Sequence, residues 1–370
     1  MFKHYLNQRF LIMGVFPKLF NQEEILLELE EIESLIKTYG GQVDALAVQK
    51  GYHPSQATYL RSGKLEQAAD LIFKEKIDIV VAKDNLKPGT MFTLEKIFNR
   101  FNPKIQVWDK TFLILHIFDL HATSAEAKLQ IKIAALKHMG PRLYGMGYIL
   151  SDQGGGIGIK GIGETNTEIM RRHWRNEIFS LKKKIKDLEK KRQIQIDRRQ
   201  RLGLKTVSII GYTNSGKSTL FNLLTGKDKL VDNKLFATLD SVTAKLFLSN
   251  SRENVILTDT IGFIRNLPPF LIDTFKSTLL ESINSDAIIL LIDAADSDML
   301  VKIWTVEKIA YELNLPLNKL IYVFNKMDKA EDLKKVELSQ KYKNYSPQYI
   351  SATKGKGIDD LKKIIEKKLK

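Results

Sequence analysis

The sequence predicts an α/β protein in which a basic helical segment separates two α/β domains. Three observations support this prediction. Short apolar runs alternate with helical segments up to residue 140, a charged stretch without Pro or Gly follows, and a loop at 211–218 lies between a strand and a helix. Strand–helix alternation is typical of a parallel sheet. We place the boundaries of the three parts at 1–140, 141–201 and 202–370, and 370 residues suffice for more than one hydrophobic core.

The N-terminal domain, 1–140, is predicted from apolar runs bounded by polar and turn residues. Helical segments lie between these runs, as expected of successive strand–helix–strand units. The candidate strands are 10–15, 43–48 and 77–82, and the candidate helices are 23–37, 64–75 and 93–98.

The middle part, 141–201, contains a strongly basic segment. Residues 168–201 carry 13 Lys/Arg and 5 Asp/Glu, a net charge of +8. Ile178, Leu181, Ile185 and Leu188 recur at a 3, 4, 3 spacing, which is typical of the packed side of a helix. The segment is therefore predicted to be one long helix or a helical hairpin, with its other side basic. That side is either a surface for a polyanion or a plain solvated face.

Residues 211–218 form a complete G-x-x-x-x-G-K-S phosphate-binding loop. A β-rich run (206–210) precedes it and a helical run (219–225) follows it, which is the context that phosphate binding requires. Backbone N–H groups around the loop and the helix dipole favour the negative charge of phosphate. Lys217 is predicted to reach the β- and γ-phosphates, and Ser218 to bind Mg²⁺. The loop residues that we expect to contact nucleotide are Gly211, Asn214, Ser215, Gly216, Lys217, Ser218 and Thr219.

A second motif, Asp259-Thr260-Ile261-Gly262, follows the apolar run 255–257. Asp259 at a strand end can hold a water bound to Mg²⁺, and the Gly262 N–H can meet the γ-phosphate. Thr238 occupies the place of a switch threonine that closes on Mg²⁺ and γ-phosphate, although by itself it also fits a turn. We therefore predict Lys217, Thr238 and Gly262 as catalytic residues, with Ser218 and Thr238 as metal ligands.

The base is identified by Asn325-Lys326-Met327-Asp328, which follows the apolar run 320–324. The Asp328 carboxylate can accept hydrogen bonds from N1–H and the 2-amino group of guanine, whereas adenine offers neither donor. Ser351 and Ala352 come after another short strand (348–350) and can present a backbone N–H to guanine O6. The motifs, in this order, predict a Ras-like P-loop GTPase domain over 202–370 that binds GTP and GDP with Mg²⁺.

Composition narrows the class of protein and its partners. A net charge of +15 favours a polyanionic partner, and the absence of cysteine excludes disulfides and thiolate metal sites. Apolar runs are too short for a membrane span, and the N-terminus lacks the pattern of a signal peptide. We therefore expect a cytoplasmic protein and a monomer, with peripheral membrane contact left open.

Two further glycine segments invite a nucleotide-binding interpretation that we reject. A formal G-x-G-x-x-G from Gly156 to Gly161 has no convincing strand before it, and its following helix has no apolar face at its start. Ser62-Gly63-Lys64 fails as a phosphate-binding loop at two positions of the motif. Thr58 stands in place of the first glycine, and the residue after Lys64 is not Ser or Thr. The 154–165 loop is either a flexible linker or, with its basic neighbours, a contact for RNA phosphates.

With these residues in view, the chain resembles the HflX-type GTPases, a translation-factor-related branch of the P-loop GTPases. The resemblance covers nearly the whole chain. It is carried by segments 57–59, 62–64, 128–130, 141–143 and 161–165, and by Asp259 to Ile264. The loop ending at Thr165 and the pair Phe263-Ile264 are its specific parts. This resemblance implies binding to the large ribosomal subunit and its RNA, and dissociation of stalled or idle ribosomes.

The chain departs from the family pattern at two places. Related sequences usually have Thr-Arg and Pro where this chain has Ile159-Lys160 and Ile162. Many relatives carry a further C-terminal domain, whereas only 354–370 follow the last nucleotide motif here, so the function of that domain is not carried over. The alternatives to a ribosome-binding GTPase are an RNA-remodelling ATPase, which no second phosphate loop supports, and a nucleotide-gated scaffold that does not hydrolyse GTP.

Overall fold

A computed structural model describes residues 7–152, 166–227, 242–260, 262–264, 271, 282–330, 338 and 340–370. The chain divides into two compact units. Unit 1 consists of 1–120 and 129–184, and unit 2 of 121–128 and 185–370.

Unit 1 contains a four-stranded sheet with the order β2-β1-β3-β4, in which every pair is parallel. The strands are β1 (Arg9–Phe16), β2 (Gln42–Lys50), β3 (Ile79–Ala82) and β4 (Gln106–Asp109). β1 is buried at every position after Arg9. Such a continuous apolar strand is expected where helices cover both faces of a parallel sheet.

Helices connect these strands. They are α1 (Gln22–Tyr39), α2 (Ser62–Lys74), α3 (Pro88–Phe98), α4 (Lys110–His121) and α5 (Ala125–Asp152), whose first turn belongs to unit 2. α1 begins with a capping box, because Asn21 and Glu24 each accept a hydrogen bond from the other's backbone N–H. It ends at Gly40, whose φ of 97° a side chain would disfavour.

The predicted strands and helices of this region are confirmed within a few residues, apart from α3, which begins earlier, at Pro88. Ser62, Gly63 and Lys64 form the first turn of α2. β4 and α4 lie outside the predicted elements. β4 has only four residues, and α4 is buried at eight consecutive positions (Thr111–Phe118), so it lacks the periodicity that identifies a surface helix.

One long helix, α6 (Asn166–Arg201), carries the basic segment. Of the predicted stripe, Leu181 is buried and Ile178, Ile185 and Leu188 are half-buried, whereas Lys182, Lys183, Lys184 and Lys186 are exposed. Of the two alternatives that the sequence allowed, a long helix or a helical hairpin, the structure shows the single long helix. Trp174 and Ile196 extend the buried side beyond the predicted stripe.

Unit 2 contains a six-stranded sheet with the order β10-β9-β8-β5-β7-β6. Only β6 runs antiparallel to its neighbour. Its strands are β5 (Thr206–Gly211), β6 (Val242–Leu248), β7 (Glu253–Asp259), β8 (Ala287–Asp293), β9 (Leu320–Asn325) and β10 (Gln348–Tyr349), and its helices include α7 (Lys217–Thr225), α8 (Met299–Glu312) and α9 (Ile358–Leu369). The predicted strands and helix around the nucleotide motifs are confirmed.

The core of unit 2 lies between this sheet and helices α7 and α9. Leu220 and Phe221 of α7 and Leu361 and Ile365 of α9 are buried against apolar residues of β5–β9. This packing fixes the carboxyl ends of four neighbouring parallel strands, which is where ligands bind in open α/β sheets. In the part of the chain that the structure describes, no helix is long and apolar enough to cross a membrane. The predicted boundaries at 140 and 201 stay a prediction.

Candidate nucleotide site

The phosphate loop connects β5 to α7, as its sequence predicts. Gly216 precedes α7 with a φ of 96°, and a Cβ on it would lie 2.4 Å from the Asn325 Nδ2. Asn214 also has a left-handed φ, of 63°. Glycine is therefore needed at 216 both for backbone conformation and for space. Lys217, Ser218 and Thr219 form the first turn of α7, and backbone N–H groups at the N-terminus of a helix attract an anion.

Lys217 extends back along its loop. Its ammonium donates a hydrogen bond to the Tyr212 carbonyl, with a distance of 2.7 Å, and the side chain is buried. A Cβ on Gly262 would lie 2.9 Å from the Lys217 Nζ and 2.8 Å from Cγ2 of Thr213. Gly262 thus lets the second motif approach the phosphate loop at the lysine. The contact places two of the predicted catalytic residues, Lys217 and Gly262, side by side.

Backbone hydrogen bonds hold that second motif in place. The Thr213 N–H donates to the Phe263 carbonyl (2.7 Å), and the Phe263 N–H donates to the Gly211 carbonyl (3.1 Å). The Phe263 side chain is 2% exposed, as expected of a residue that packs within its own domain. The phosphate loop therefore fixes the backbone position of Phe263.

Ser218 and Asp259 meet at the junction of α7 and β7. The Ser218 hydroxyl donates to Oδ2 of Asp259 over 2.9 Å, and Asp259 is fully buried. A hydroxyl and a carboxylate at this distance are the hard oxygen donors that Mg²⁺ prefers, so the pair fits the metal that the sequence predicts. Thr238, the other predicted ligand, lies outside the described residues.

Asn325, at the end of β9, joins the phosphate loop to the predicted guanine loop. Its Nδ2 donates to the Ser215 carbonyl (2.8 Å), and its Oδ1 accepts from the Ala352 N–H (3.0 Å). The side chain is 2% exposed. These two hydrogen bonds fix the separation between the two loops, and with it the length of ligand that can span them.

Asp328 is held by Ser351. The Ser351 hydroxyl donates to Oδ1 of Asp328 over 2.6 Å, and this hydrogen bond lowers the pKa of the exposed carboxyl below its ordinary value. The Met327 N–H donates to the Ile350 carbonyl, which aligns the two segments. Asp328 therefore stays ionised, as an acceptor of two guanine donors must be.

Two contacts of this site were not predicted from the sequence. Lys326, whose φ is 63°, pairs its ammonium with Oδ2 of Asp293 at 2.6 Å. Asp293 ends the apolar run of β8, just as Asp259 and Asn325 end β7 and β9, so its position at a strand end was the available signal. The other is the hydrogen bond that the Tyr212 carbonyl accepts from the Lys217 ammonium, which no pattern of side chains in the sequence reveals.

Comparisons with known proteins agree with this geometry. The chain matches three family models, described as GTP-binding GTPase N-terminal (27–119), GTP-binding GTPase Middle Region (121–199) and 50S ribosome-binding GTPase (206–326). A GTPase HflX of Caldanaerobacter subterraneus is 42% identical, and the alignment covers 92% of this chain and 77% of the relative. The chain belongs to the HflX GTPase family.

Further relatives support the same assignment. The GTPase HflX of Escherichia coli is 34% identical over 95% of this chain and 81% of its own length. A crystal structure of a GTP-binding protein from Sulfolobus solfataricus in complex with GDP is 27% identical, covers 97% of this chain and 98% of its own, and has a TM-score of 0.50. As a family member, this protein binds guanine nucleotides and hydrolyses GTP to GDP and phosphate. The predicted family and activity are confirmed, whereas the roles of individual site residues stay a prediction.

Proposed function

We propose that this GTPase acts in the cytoplasm as a monomer, binds the large ribosomal subunit and its RNA, and dissociates stalled or idle ribosomes. The observation that carries the proposal is the two-sided character of α6. Its apolar stripe is buried or half-buried, while four lysines within five residues stand exposed. A solvated helix needs no such concentration of one charge, whereas phosphate groups of RNA are bound by it. The family description "50S ribosome-binding GTPase" supports the same partner.

We further propose which residues bind the phosphates, the base and the metal. Lys217, Gly262 and the loop N–H groups bind the β- and γ-phosphates, and Asp328 with the Ala352 N–H reads guanine. Ser218 and Thr238 hold Mg²⁺, and Asp259 holds a water bound to the metal. The metal, when bound, neutralises charge on the phosphate oxygens. The two Asn325 hydrogen bonds support this division, because they tie the phosphate-binding and base-binding loops into one rigid frame.

Co-sedimentation with purified large subunits tests the role of α6. Lys182, Lys183, Lys184 and Lys186 are replaced together by Glu, which should weaken binding strongly because four phosphate contacts become repulsive. Affinity of the unmodified protein should fall steeply with salt. GTP affinity should be unchanged, since these side chains lie on a helix and not in the nucleotide loops.

A matched control changes the charge equally on another helix. Replacing Lys362, Lys363, Lys367 and Lys368 of α9 by Glu alters the net charge by the same amount, so the two variants have equal net charge and differ only in where it changes. Binding should survive in the control and be lost in the α6 variant. If both variants bind the subunit as the unmodified protein does across a salt series, α6 is an ordinary solvated face.

Single-turnover hydrolysis tests whether the subunit completes the catalytic site. In Ras-like enzymes a glutamine directly after the Asp-x-x-Gly motif orients the attacking water, whereas here that position is Phe263, which supplies no hydrogen-bonding group. The isolated protein should therefore hydrolyse GTP slowly, on the order of 10⁻⁴ to 10⁻² s⁻¹. Large subunits should accelerate the reaction by ordering the segments around Thr238 and Gly262. A fast rate that subunits leave unchanged would contradict this part of the proposal. Ribosome-profile gradients, with and without the protein and GTP, test the dissociation step itself.

A further inference from the structure

One face of α8 exposes large aromatic side chains to solvent. Leu300, Trp304, Lys308 and Tyr311 follow each other at spacings of four, four and three residues and so share that face. Trp304 is 61% exposed and Tyr311 is 75% exposed. The opposite face of α8 is buried through Ile303, Val306 and Ala310. Large aromatic side chains exposed together on one helix face mark an interaction site.

Exposed lysines accompany these rings. The Lys308 ammonium lies 5.5 Å from the centre of the Trp304 ring, in cation–π geometry. Next to α8, the segment 341–345 adds Lys341 and Lys343 with Tyr345, which is 55% exposed. The segment is linked to α8, because the Tyr345 ring centre is 4.6 Å from that of Tyr322, whose hydroxyl donates to Glu307 over 2.7 Å.

The charges near these rings favour a polyanion. Glu307 faces Tyr322 from α8, and its carboxylate is engaged by that hydroxyl. Lys302, elsewhere on α8, is paired with Asp296. Along α8 and 341–345, the exposed ionic side chains of the described residues are Lys308, Lys341, Lys343 and, as an acid, Glu312. A protein ligand would need no such excess of cations, whereas a nucleic acid strand presents phosphates and stacking faces together.

We infer that the exposed face of α8, with Trp304 at its centre, is a stacking platform for bases of single-stranded RNA, and that Lys308, Lys341 and Lys343 contact the adjacent phosphates. Planar rings held on a rigid helix stack on bases of any identity. The platform rests on the proposed function for its class of partner, but it is a separate surface from the α6 lysines. It gives the GTPase domain its own contact with RNA.

Trp304 provides a direct readout. The chain has three tryptophans, and Trp108 and Trp174 are buried, so only Trp304 is open to solvent. A single-stranded RNA of about 12 nucleotides, within the usual site size of such surfaces, should quench Trp304 fluorescence in the full-length protein and shield it from iodide. The quenching should be absent in Trp304→Phe, which keeps an aromatic ring but removes the fluorophore.

Affinity measurements with a labelled RNA of the same length complete the test. Trp304→Phe should bind nearly as well as the unmodified protein, whereas Trp304→Ala should bind roughly tenfold or more weakly because a base loses its stacking partner. Lys308→Ala should weaken binding and flatten its salt dependence. GTP hydrolysis by Trp304→Ala should be unchanged, which shows that the GTPase domain is folded.

The outcomes separate this inference from the proposed function. Ribosome co-sedimentation that depends on the α6 lysines, together with no effect of RNA on Trp304, would overturn the platform and leave the proposed function standing. Quenching of Trp304 by large subunits but not by RNA would assign the surface to a ribosomal protein and also overturn the RNA assignment. Quenching by RNA in a protein that does not co-sediment with subunits would support the platform while the proposed function fails.

Discussion

Removal of the Asn325 side chain tests, in the absence of nucleotide, whether its hydrogen bonds hold the phosphate-binding and base-binding loops together. Asn325→Ala deletes the hydrogen bonds to the Ser215 carbonyl (2.8 Å) and from the Ala352 N–H (3.0 Å). Both groups belong to buried residues, so water does not simply replace the lost partner. An unsatisfied buried polar group costs about 1–3 kcal/mol, and two of them cost about 2–6 kcal/mol. This is a large share of the stability of a domain.

Differential scanning calorimetry can measure this loss. GDP binds the folded GTPase domain, so the unfolding transition that GDP raises belongs to that domain. Without nucleotide, Asn325→Ala should lower this transition by roughly 4–24 °C, given about 2–4 °C per kcal/mol for a domain of this size. The substitution should also weaken GDP and GTP together, because the two loops are no longer held at a fixed separation.

Asn318 offers the matched control. It is an exposed asparagine on the short 3₁₀ turn Leu317–Lys319, just before β9. Asn318→Ala should change stability by no more than about 0.5 kcal/mol, as is usual for surface positions. If Asn325→Ala lowers the GDP-responsive transition no further than Asn318→Ala does, the two hydrogen bonds do not tie the loops together.

Four other predictions follow from the same contacts. Asp328→Asn should weaken GTP and favour xanthosine nucleotides, because donor and acceptor are exchanged; unchanged GTP affinity in a competition titration would contradict it. Ser351→Ala should raise the lowered pKa of Asp328 toward its ordinary value, so the loss of GDP affinity on acidification should begin at a higher pH than in the unmodified protein, as a titration across acidic pH would show. Lys217→Ala should lose much of its triphosphate affinity, measured against GDP, and a normal hydrolysis rate would show that the phosphate loop is misassigned. Phe263→Gln should leave single-turnover hydrolysis no faster, and a clear acceleration would show that the glutamine reaches the attacking water.

Much of the nucleotide site could be predicted because its motifs encode backbone conformation locally. The phosphate loop needs glycine at 216, where φ is 96°, and lysine and serine at the start of a helix. Strands β7 and β9 are short apolar runs that end at Asp259 and Asn325, and β5 leads directly into the phosphate loop, so their carboxyl ends could be placed together at one edge of a parallel sheet. These features need only a few neighbouring residues to be recognised.

Other features depend on residues that are distant in the sequence and could not be predicted. The ion pair between Lys326 and Asp293 joins positions 33 residues apart, and no motif in the sequence shows that the ends of β8 and β9 are adjacent. Helix α4 is buried on all sides from Thr111 to Phe118, so its sequence shows no amphipathic period that could be detected. The exposed face of α8 was missed for the opposite reason, since Leu300, Trp304 and Tyr311 have the composition of a core and only the fold shows that they lie outside it.

Sequence and structure also contribute different parts of the argument that Phe263 does not orient the attacking water. Sequence alone shows that an apolar residue stands where Ras-like enzymes place a glutamine. The structure adds that its backbone is hydrogen-bonded to the phosphate loop on both sides, at Gly211 and Thr213, and that its ring is buried. A side chain at 263 therefore points into the domain whatever its chemistry, and an amide there would be buried at a cost of about 1–3 kcal/mol. The group that orients the attacking water must consequently come from another part of the chain or from the partner that the protein binds.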